Sequence, residues 1–271
     1  MTCGRIKRLQ LNCKMRKSFS SEGLVIKRKN IGEADKIVTI FSKYQGKISV
    51  IAKGVRKVSS RRAGNLELIN QIKFFAHGNG KLPVVTEAST LTSFKKIKSD
   101  LRKLGLAYLL LELIDQFLPE GQENTNLYNQ LLLFLEGINQ SKSFEKDKVL
   151  VASFQIKLLR EMGYLPELYR CIKCGNKLKE SNNFLAPHLG GLIDKTCSSE
   201  SLVSKRIKGD SIKVIRFINS EPIERIDQLK LSDIDVQEIC KLLNIYTAYH
   251  LDRDLGAERF AVEIEKLSLL V

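Results

Sequence analysis

The chain has 271 residues, of which 43% are hydrophobic, and a net charge of +15, so it carries enough apolar material for a folded core, and wholesale disorder is excluded. Its longest apolar run, residues 104–114, is interrupted by Gly105 and Glu112 and is too short to cross a bilayer. The positive charge is confined to residues 1–98, which hold 22 Lys and Arg against 5 Asp and Glu, and this asymmetry predicts a polyanionic ligand, with nucleic acid favoured over an anionic membrane surface.

Residues 1–17 are expected to form an N-terminal extension outside the fold. They are basic but lack the apolar segment of a signal peptide. Two interpretations remain open. One is a mis-assigned start, because Met15 begins a plausible protein just before the first strand-like run. The other is a transit peptide, since the segment contains no acidic residue.

Residues 18–97 are expected to form a five-stranded β-barrel of the OB type. Runs rich in β-branched residues or alternating in polarity predict five short strands, at residues 23–26, 35–42, 47–52, 69–76 and 82–87. Turn-like sequences lie at 44–46 and 77–80. Five strands in so short a segment offer too few residues to cover both faces of an open sheet, which favours a closed barrel.

A basic, glycine-punctuated segment, residues 53–64, separates the third and fourth strands. We expect it to be a mobile surface loop that cannot pack into a core. OB barrels commonly hold single-stranded nucleic acid in a basic groove. The candidate DNA-binding residues lie at the end of the first strand and in this loop, and they are Lys27, Arg28, Lys29, Lys53, Arg56, Lys57, Arg61 and Arg62.

Three aromatic rings are candidate platforms for stacked bases, namely Tyr44, Phe74 and Phe75. The competing interpretation, a place in the core, is the commoner one for each ring. Phe74 and Phe75 are adjacent on one strand, so their side chains point to opposite faces and at most one of them is exposed.

Residues 98–271 are expected to form an α-helical domain, which makes the whole chain an α+β protein. Helical periodicity predicts helices at 100–117, 126–138, 148–162 and 232–252. Asp100 can cap the first of them, and Ser232 with Asp235 forms a pattern like a capping box at the start of the last. Residues 99–271 hold 23 Lys and Arg against 25 Asp and Glu, a balance that suits contacts with proteins better than contacts with a polyanion.

Residues 168–200 interrupt the helices and are expected to form a zinc-knuckle-like insertion. Cys171 and Cys174 have CxxC spacing, and Asp194 and Cys197 repeat that spacing downstream, with Asp194 where a second pair would have a Cys. These four are the candidate ligands of a structural zinc ion, and His188 is an alternative fourth ligand. A degenerate knuckle held by packing alone also remains open. A redox dithiol is disfavoured, because no thioredoxin-like βαβ pattern surrounds the pair.

The sequence offers no catalytic constellation, so we expect a protein that is not an enzyme. The chain has three His, none at HxxxH or HExxH spacing, and it contains neither a P-loop nor a GxSxG motif. A metal-dependent nuclease is kept as a minor alternative. The scattered cysteines are typical of a reduced, cytoplasmic protein.

The order of these features resembles the bacterial RecO family of recombination mediators. The resemblance spans residues 18–265 and rests on a basic OB barrel, a leucine-rich helix, an inserted knuckle and a helical remainder. The local matches are residues 23–26 (GLVI), 32–36 (GEADK), 53–57 (KGVRK), 108–115 (YLLLELID) and 190–192 (GGL). Asp194 is a departure, because zinc-bearing members of the family carry a Cys there, and some members lack the metal.

The resemblance implies a recombination mediator in DNA repair, cytoplasmic and associated with the nucleoid. Such a protein binds single- and double-stranded DNA and anneals complementary strands. It contacts the C-terminal tail of the single-strand-binding protein SSB, which is acidic and ends in apolar residues. With RecR it helps to load RecA onto SSB-coated single-stranded DNA, so RecA is an indirect partner. The alternative function is that of an RNA-binding OB-fold protein associated with the ribosome.

Overall fold

The computed structural model describes residues 18–78, 82–179, 181–198, 204–226 and 228–268. The expected N-terminal extension, residues 1–17, and Asn79 and Gly80 of the expected turn lie outside the described residues. Within the described ranges, no helix combines the length and the apolar character that a membrane crossing requires.

The first half of the chain forms the predicted five-stranded, OB-like barrel. Its strands are β1 (Ser18–Ile31), β2 (Asp35–Ser42), β3 (Gly46–Ala52), β4 (Gln71–His77) and β5 (Val84–Thr92). They close in the order β1-β2-β3-β5-β4, and β4 pairs back onto β1. Every pairing is antiparallel except the contact of β3 with β5, which is parallel and has Ile51 opposite Val84.

Strand β1 is much longer than the four residues predicted for it, because it pairs with two neighbours in succession. Residues 18–24 pair with β4 and residues 23–31 pair with β2, with an irregularity between Val25 and Lys27. The apolar run that predicts this strand marks only its central part. Before that part the strand is held by backbone pairing and by alternate burial, with Phe19 and Ser21 buried and Ser18 and Ser20 exposed.

The barrel is apolar on two faces where β1 and β2 run side by side. Val25 and Ile40 belong to the cluster inside the barrel, whereas Leu24 and Phe41 point outward into a second cluster that includes the helices. The ring of Phe41 meets that of Tyr128 edge to face, with centroids 5.7 Å apart. The outward face of the barrel is therefore a wall of the helical core.

The helical half contains nine helices among the described residues, together with a small sheet. The helices are α1 (Lys95–Ser99), α2 (Leu101–Phe117), α3 (Thr125–Gln140), α4 (Phe144–Glu161), α5 (Lys195–Ser198), α6 (Gly209–Ser220), α7 (Ile223–Ile226), α8 (Asp233–Leu251) and α9 (Gly256–Ser268). Strands β6 (Asn183–Ala186), β7 (Gly191–Ile193) and β8 (Lys205–Ile207) form an antiparallel sheet in the order β7-β6-β8.

Side-chain caps fix where the long helices begin. As predicted, Asp100 caps α2 by accepting from the backbone amide of Arg102, and Ser232 caps α8. Helix α4 begins four residues earlier than predicted, because Ser143 accepts from the backbone amide of Lys146. Helices α6 and α9 were not predicted.

Helix α4 lies between two hydrophobic cores and is buried at every position from Val149 to Leu159. One core joins α4 to α2, α3 and the outward face of the barrel, and the other joins it to α6, α8 and the small sheet. Helix α9 lies against α2 where Gly105 permits a close approach. A Cβ atom at Gly105 would lie 3.3 Å from the Cα atom of Ala261.

Candidate nucleic-acid surface and candidate metal centre

The basic segment between β3 and β4 closes one end of the barrel. The backbone amide of Gly54 donates to Asp35 Oδ1 at 2.7 Å, and that of Arg56 donates to the carbonyl of Ala34 at 2.9 Å. Between them, Val55 is only 3% exposed and belongs to the core of the barrel. The expectation that this segment cannot pack into a core is therefore wrong, because Val55 joins the core of the barrel and Ala63 packs against it.

Arg62 anchors the far end of the same segment. Its guanidinium donates through Nη1 to the carbonyl of Val85 at 2.5 Å and through Nη2 to the carbonyl of Lys53 at 2.9 Å. Asn65 adds a hydrogen bond of 2.9 Å from Nδ2 to the carbonyl of Ala88. Anchored at both ends, the segment is held to the barrel as an ordered ridge.

The remaining cations of the ridge point to solvent. The exposed members of the predicted set that form no ion pair with a described carboxylate are Lys29, Lys53, Arg56, Lys57 and Arg61. Arg56 also donates from Nη1 to the carbonyl of Gly32 at 3.1 Å, which limits the positions that its guanidinium can take. Val58 is fully exposed among them. We call this set with Val58 the basic ridge.

The other two predicted cations, Lys27 and Arg28, are paired with carboxylates. Lys27 Nζ lies 2.7 Å from Asp115 Oδ2 on α2, and Arg28 pairs with Glu67. Lys47, which sequence reasoning did not select, shares Asp115 with an Nζ–Oδ1 distance of 3.5 Å. Asp115 thus takes up part of the basic charge of the barrel at its contact with α2, and no local pattern in the sequence pairs residues so far apart.

Of the three candidate stacking platforms, Phe74 is excluded. It is 1% exposed inside the barrel and meets Phe19 edge to face at 5.9 Å. Phe75 points outward and is half-buried. Tyr44 is 51% exposed at the turn between β2 and β3, and Lys43 Nζ lies 5.2 Å from the centroid of its ring. Tyr44 is therefore the predicted ring best placed to meet a base.

The four predicted metal ligands converge at one point. The ligand atoms of Cys171, Cys174, Asp194 and Cys197 all lie within 4.8 Å of one another. A tetrahedral zinc ion with bonds of about 2.3 Å holds its sulfur ligands roughly 3.8 Å apart. The cluster can therefore hold a metal ion after a small contraction. Three soft thiol donors with one carboxylate suit zinc better than magnesium or calcium.

The local backbone explains why the cluster forms. Gly175, with φ of +76°, turns the chain after the first pair, and its amide donates to the carbonyl of Cys171 at 2.8 Å. The amide of Ile172 donates to the carbonyl of Leu192 on β7 at 3.0 Å. This contact brings the turn beside Asp194, which directly follows β7.

Asp194 has two roles in the cluster. Its Oδ1 accepts from the backbone amide of Cys197 at 2.8 Å, while its Oδ2 lies 3.1 Å from Cys174 Sγ. These two hydrogen bonds lower the pKa of the Asp194 carboxyl. Burial and the neighbouring thiols raise the pKa of Cys197 to about 12. A divalent cation would stabilise the thiolate, which burial and the neighbouring thiols otherwise disfavour.

His188 lies outside the cluster. It is exposed on the short 3-10 turn Pro187–Leu189, and the group of converging ligands in the described part of the chain does not include it. The fourth position of the candidate site is therefore supplied by Asp194.

A cavity of about 340 Å³ lies among α2, α4, α8 and α9. Leu109, Val151 and Ala261 contribute to its apolar lining, and Lys148 and Lys241 also line it. Sequence reasoning missed this site, because two of its walls belong to helices whose relative placement no local pattern fixes, and one of them, α9, was not predicted.

Two family models together match almost the whole chain. The family model described as Recombination protein O N terminal matches residues 15–94, and that described as Recombination protein O C terminal matches residues 98–259. The chain is 30% identical over 249 residues to DNA repair protein RecO of Roseiflexus sp. (strain RS-1), covering 92% of this chain and 87% of the relative. It is 28% identical over 253 residues to DNA repair protein RecO of Desulforamulus reducens, covering 93% and 97%.

Proposed function

Because the chain belongs to the RecO family of DNA repair and recombination proteins, we propose that it is a recombination mediator that anneals complementary DNA strands and, with RecR, helps to load RecA onto SSB-coated single-stranded DNA. It acts by binding rather than by making or breaking bonds. Both single- and double-stranded DNA are ligands, and the nucleoid in the cytoplasm is its place of action.

The observation that carries this proposal is the basic ridge across the end of the barrel. Four of its five cations lie on a segment held by hydrogen bonds at both ends, and the fifth, Lys29, lies on β1, so little conformational freedom is lost when phosphates bind. Cations on an ordered support lower the repulsion between two negatively charged strands, which is the physical requirement of annealing. Tyr44 supplies an exposed ring for base stacking.

We propose that the ion at the cysteine cluster is zinc and that its role is structural. Cys171, Cys174, Asp194 and Cys197 would hold it, and it would fasten the turn that precedes the small sheet to the residues that follow β7. Cys171 is buried and the other three ligands reach the surface to different degrees. The donor set leaves no protein-free position for a reactive water, as expected of a structural site.

We propose that the SSB tail binds in the helical half, at the cavity among α2, α4, α8 and α9. Its mostly apolar lining suits the apolar end of that tail, and Lys148 and Lys241 supply positive charge for its acidic residues. This location separates the binding of SSB from the basic ridge, so that one molecule engages the tail and the DNA together.

Strand annealing of SSB-coated complementary oligonucleotides tests the proposal. The full-length protein should accelerate duplex formation at least tenfold over SSB-coated strands alone, without nucleotide hydrolysis and without strand cleavage in Mg²⁺. Cleavage would favour a nuclease instead. Structured RNA that displaces single-stranded DNA from the protein would favour the RNA-binding alternative.

A further inference from the structure

The near-neutral charge of the helical half conceals a basic region around the metal cluster. Residues 168–208 hold 8 Lys and Arg against 3 Asp and Glu. The rest of 99–271 therefore holds 15 against 22. An excess of cations in a region where acids otherwise outnumber them suggests a second polyanion-binding surface.

Part of that charge lies on a two-stranded ribbon formed by the turn through the first two cysteines. Arg170 and Lys177 are direct antiparallel partners. Like charges placed opposite each other in such a pair are destabilising. Lys179 follows on the same side, since Leu178 between the two lysines is buried whereas both lysines are exposed. Lys177 and Lys179 form no ion pair with a described residue.

An exposed aromatic ring lies at the base of this ribbon. Tyr169 is 54% exposed, and its carbonyl accepts from the amide of Leu178 at 3.0 Å, which ties it to the strand that carries the lysines. The guanidinium carbon of Arg216 lies 4.6 Å from the centroid of the ring. Arg216 is itself fixed by a hydrogen bond of 3.1 Å from Nε to the carbonyl of Leu168. The ring is therefore held in place with a cation against it.

We propose that this ribbon, with Tyr169, Arg170, Lys177 and Lys179 as its contact residues, binds a second single strand of nucleic acid through its phosphates, with one base stacked on Tyr169. A polyanion would remove the repulsion between the opposed cations, and an aromatic ring beside them suits a base. An acidic peptide ending in apolar residues would fit a recess better than this ribbon of exposed side chains. The proposal extends the proposed annealing function on which it rests, because annealing needs two strands on one molecule.

Stoichiometry is the direct test. We use full-length protein and a single-stranded oligonucleotide of about ten nucleotides, within the range of ~4–16 that one OB fold covers. Sedimentation should find two oligonucleotides per wild-type chain. The ribbon variant, Arg170→Ala/Lys177→Ala/Lys179→Ala, should retain one oligonucleotide per chain. The barrel variant, Arg56→Ala/Lys57→Ala/Arg61→Ala, should also retain one. The combined variant should retain none. When added to the barrel variant, Tyr169→Ala should weaken binding of the oligonucleotide about tenfold relative to Tyr169→Phe.

Controls separate charge, folding and function. Lys142→Ala/Lys230→Ala/Arg253→Ala removes the same charge from exposed positions outside the ribbon and should leave two sites. Arg170→Lys/Lys177→Arg/Lys179→Arg keeps the charge and should also leave two sites. Loss of a site in both this variant and the alanine variant would indicate a folding defect rather than lost charge.

One oligonucleotide per wild-type chain, or two per chain of Arg170→Ala/Lys177→Ala/Lys179→Ala, would overturn the proposal. Loss of SSB-tail binding with unchanged DNA stoichiometry would instead assign the ribbon to an acidic peptide. Absence of annealing by the wild type would contradict the proposed function, whatever the stoichiometry.

Discussion

Glu112 in the middle of α2 caps the first turn of α9, with its Oε2 accepting a hydrogen bond of 2.7 Å from the backbone amide of Ala257. Its Oε1 accepts from the amide of Gly256 at 3.1 Å. One carboxylate thus satisfies two amides that a helix start leaves without partners, and its charge faces the positive end of the helix dipole. One of the two residues that interrupt the longest apolar run of the chain thus helps to hold its last described helix.

Removing this cap should loosen α9. We expect Glu112→Ala to lower the free energy of unfolding by about 0.5–2 kcal/mol, the range for the loss of a helix cap, and to speed hydrogen exchange of the amides at the start of α9. Urea denaturation and hydrogen exchange would measure both. Glu263→Ala, which removes an exposed carboxylate from α9 itself, serves as the control. Equal exchange in the two variants would show that the cap contributes nothing.

The buried pair of Lys103 and Asp147 should make stability depend on pH. Lys103 Nζ lies 3.4 Å from Asp147 Oδ2, and the side chain of Asp147 is fully buried. Burial raises the pKa of Asp147 to about 6 from an ordinary value of 3.8, against the opposing effects of Ser141 and Lys103. A raised pKa means that the folded state binds the proton more tightly than the unfolded chain does. Its stabilising contribution is therefore present below about pH 4 and is lost as the pH rises through 6.

Asp147→Asn removes this titration. At about 1.4 kcal/mol per pKa unit, the difference in unfolding free energy between wild type and variant should change by about 2 kcal/mol between pH 4 and pH 7, in the direction that favours the wild type at pH 4. Urea melts of both proteins across that range would measure it. A difference that does not vary with pH would show that Asp147 titrates normally.

Neutralising the basic ridge should weaken DNA binding through electrostatics. For Arg56→Ala/Lys57→Ala/Arg61→Ala we expect the slope of log K against log salt to become shallower by about 2, at about 0.7 for each phosphate that is no longer neutralised. Fluorescence anisotropy with a labelled single strand would measure the slope. Arg62→Ala should behave differently, because that guanidinium donates to the carbonyls of Val85 and Lys53. We expect it to lose about 1–3 kcal/mol of stability and to keep most of the slope.

The metal cluster should stabilise the protein without taking part in barrel-centred binding. Protein purified without chelator should contain one zinc per chain, and Cys171→Ser should release it. Even a loss of about 3 kcal/mol would lower Tm by about 6–12 °C for a chain of this size. Elemental analysis and thermal melts would measure both effects, with Cys240→Ser on α8 as the control, since Cys240 lies outside the cluster. Wild-type protein that contains no stoichiometric zinc when purified without chelator would favour a knuckle held by packing, and Asp194→Cys should then create a site.

The cavity among α2, α4, α8 and α9 should recognise a peptide that is acidic and ends in apolar residues. We expect Lys241→Glu to weaken binding of an SSB-tail peptide by full-length protein at least tenfold, because a carboxylate at the cavity repels the acidic part of the peptide. Isothermal titration calorimetry would measure the affinity. Lys230→Glu, an exposed change outside the cavity lining, should leave it unaltered. An equal loss of affinity in both variants would indicate a nonspecific effect of charge rather than a contact at the cavity.

Local sequence patterns were sufficient to predict elements whose ends are set by residues close to them in the chain. Asp100 and Ser232 indicate helix starts because a short polar side chain precedes an apolar period of 3.6. Helix α6 was missed because Lys208 at its start provides no side-chain cap. The first strand was underestimated because its first four residues hold a single apolar side chain, Phe19, among serines that are held by pairing with β4.

The same distinction between local and long-range contacts applies to the candidate sites. The spacing of the cysteines with Asp194 was enough to group the metal ligands, because each pair is local and the two pairs repeat the same spacing. For the DNA-binding set, the sequence identified the cations but not their partners. Asp115 and Lys27 are 88 positions apart, and no sequence window of helical or strand period links them.

The outward apolar face of β1 and β2 has a consequence for any attempt to divide this protein. The matches to the two family models meet between residues 94 and 98, and a gene cut there would separate Phe41 from Tyr128 and leave Leu24 facing water. The isolated barrel would expose an apolar surface on the outside of β1 and β2, and we expect it to self-associate through that surface. The shared apolar face therefore makes the barrel and the helices depend on each other, and we expect them to unfold as one unit.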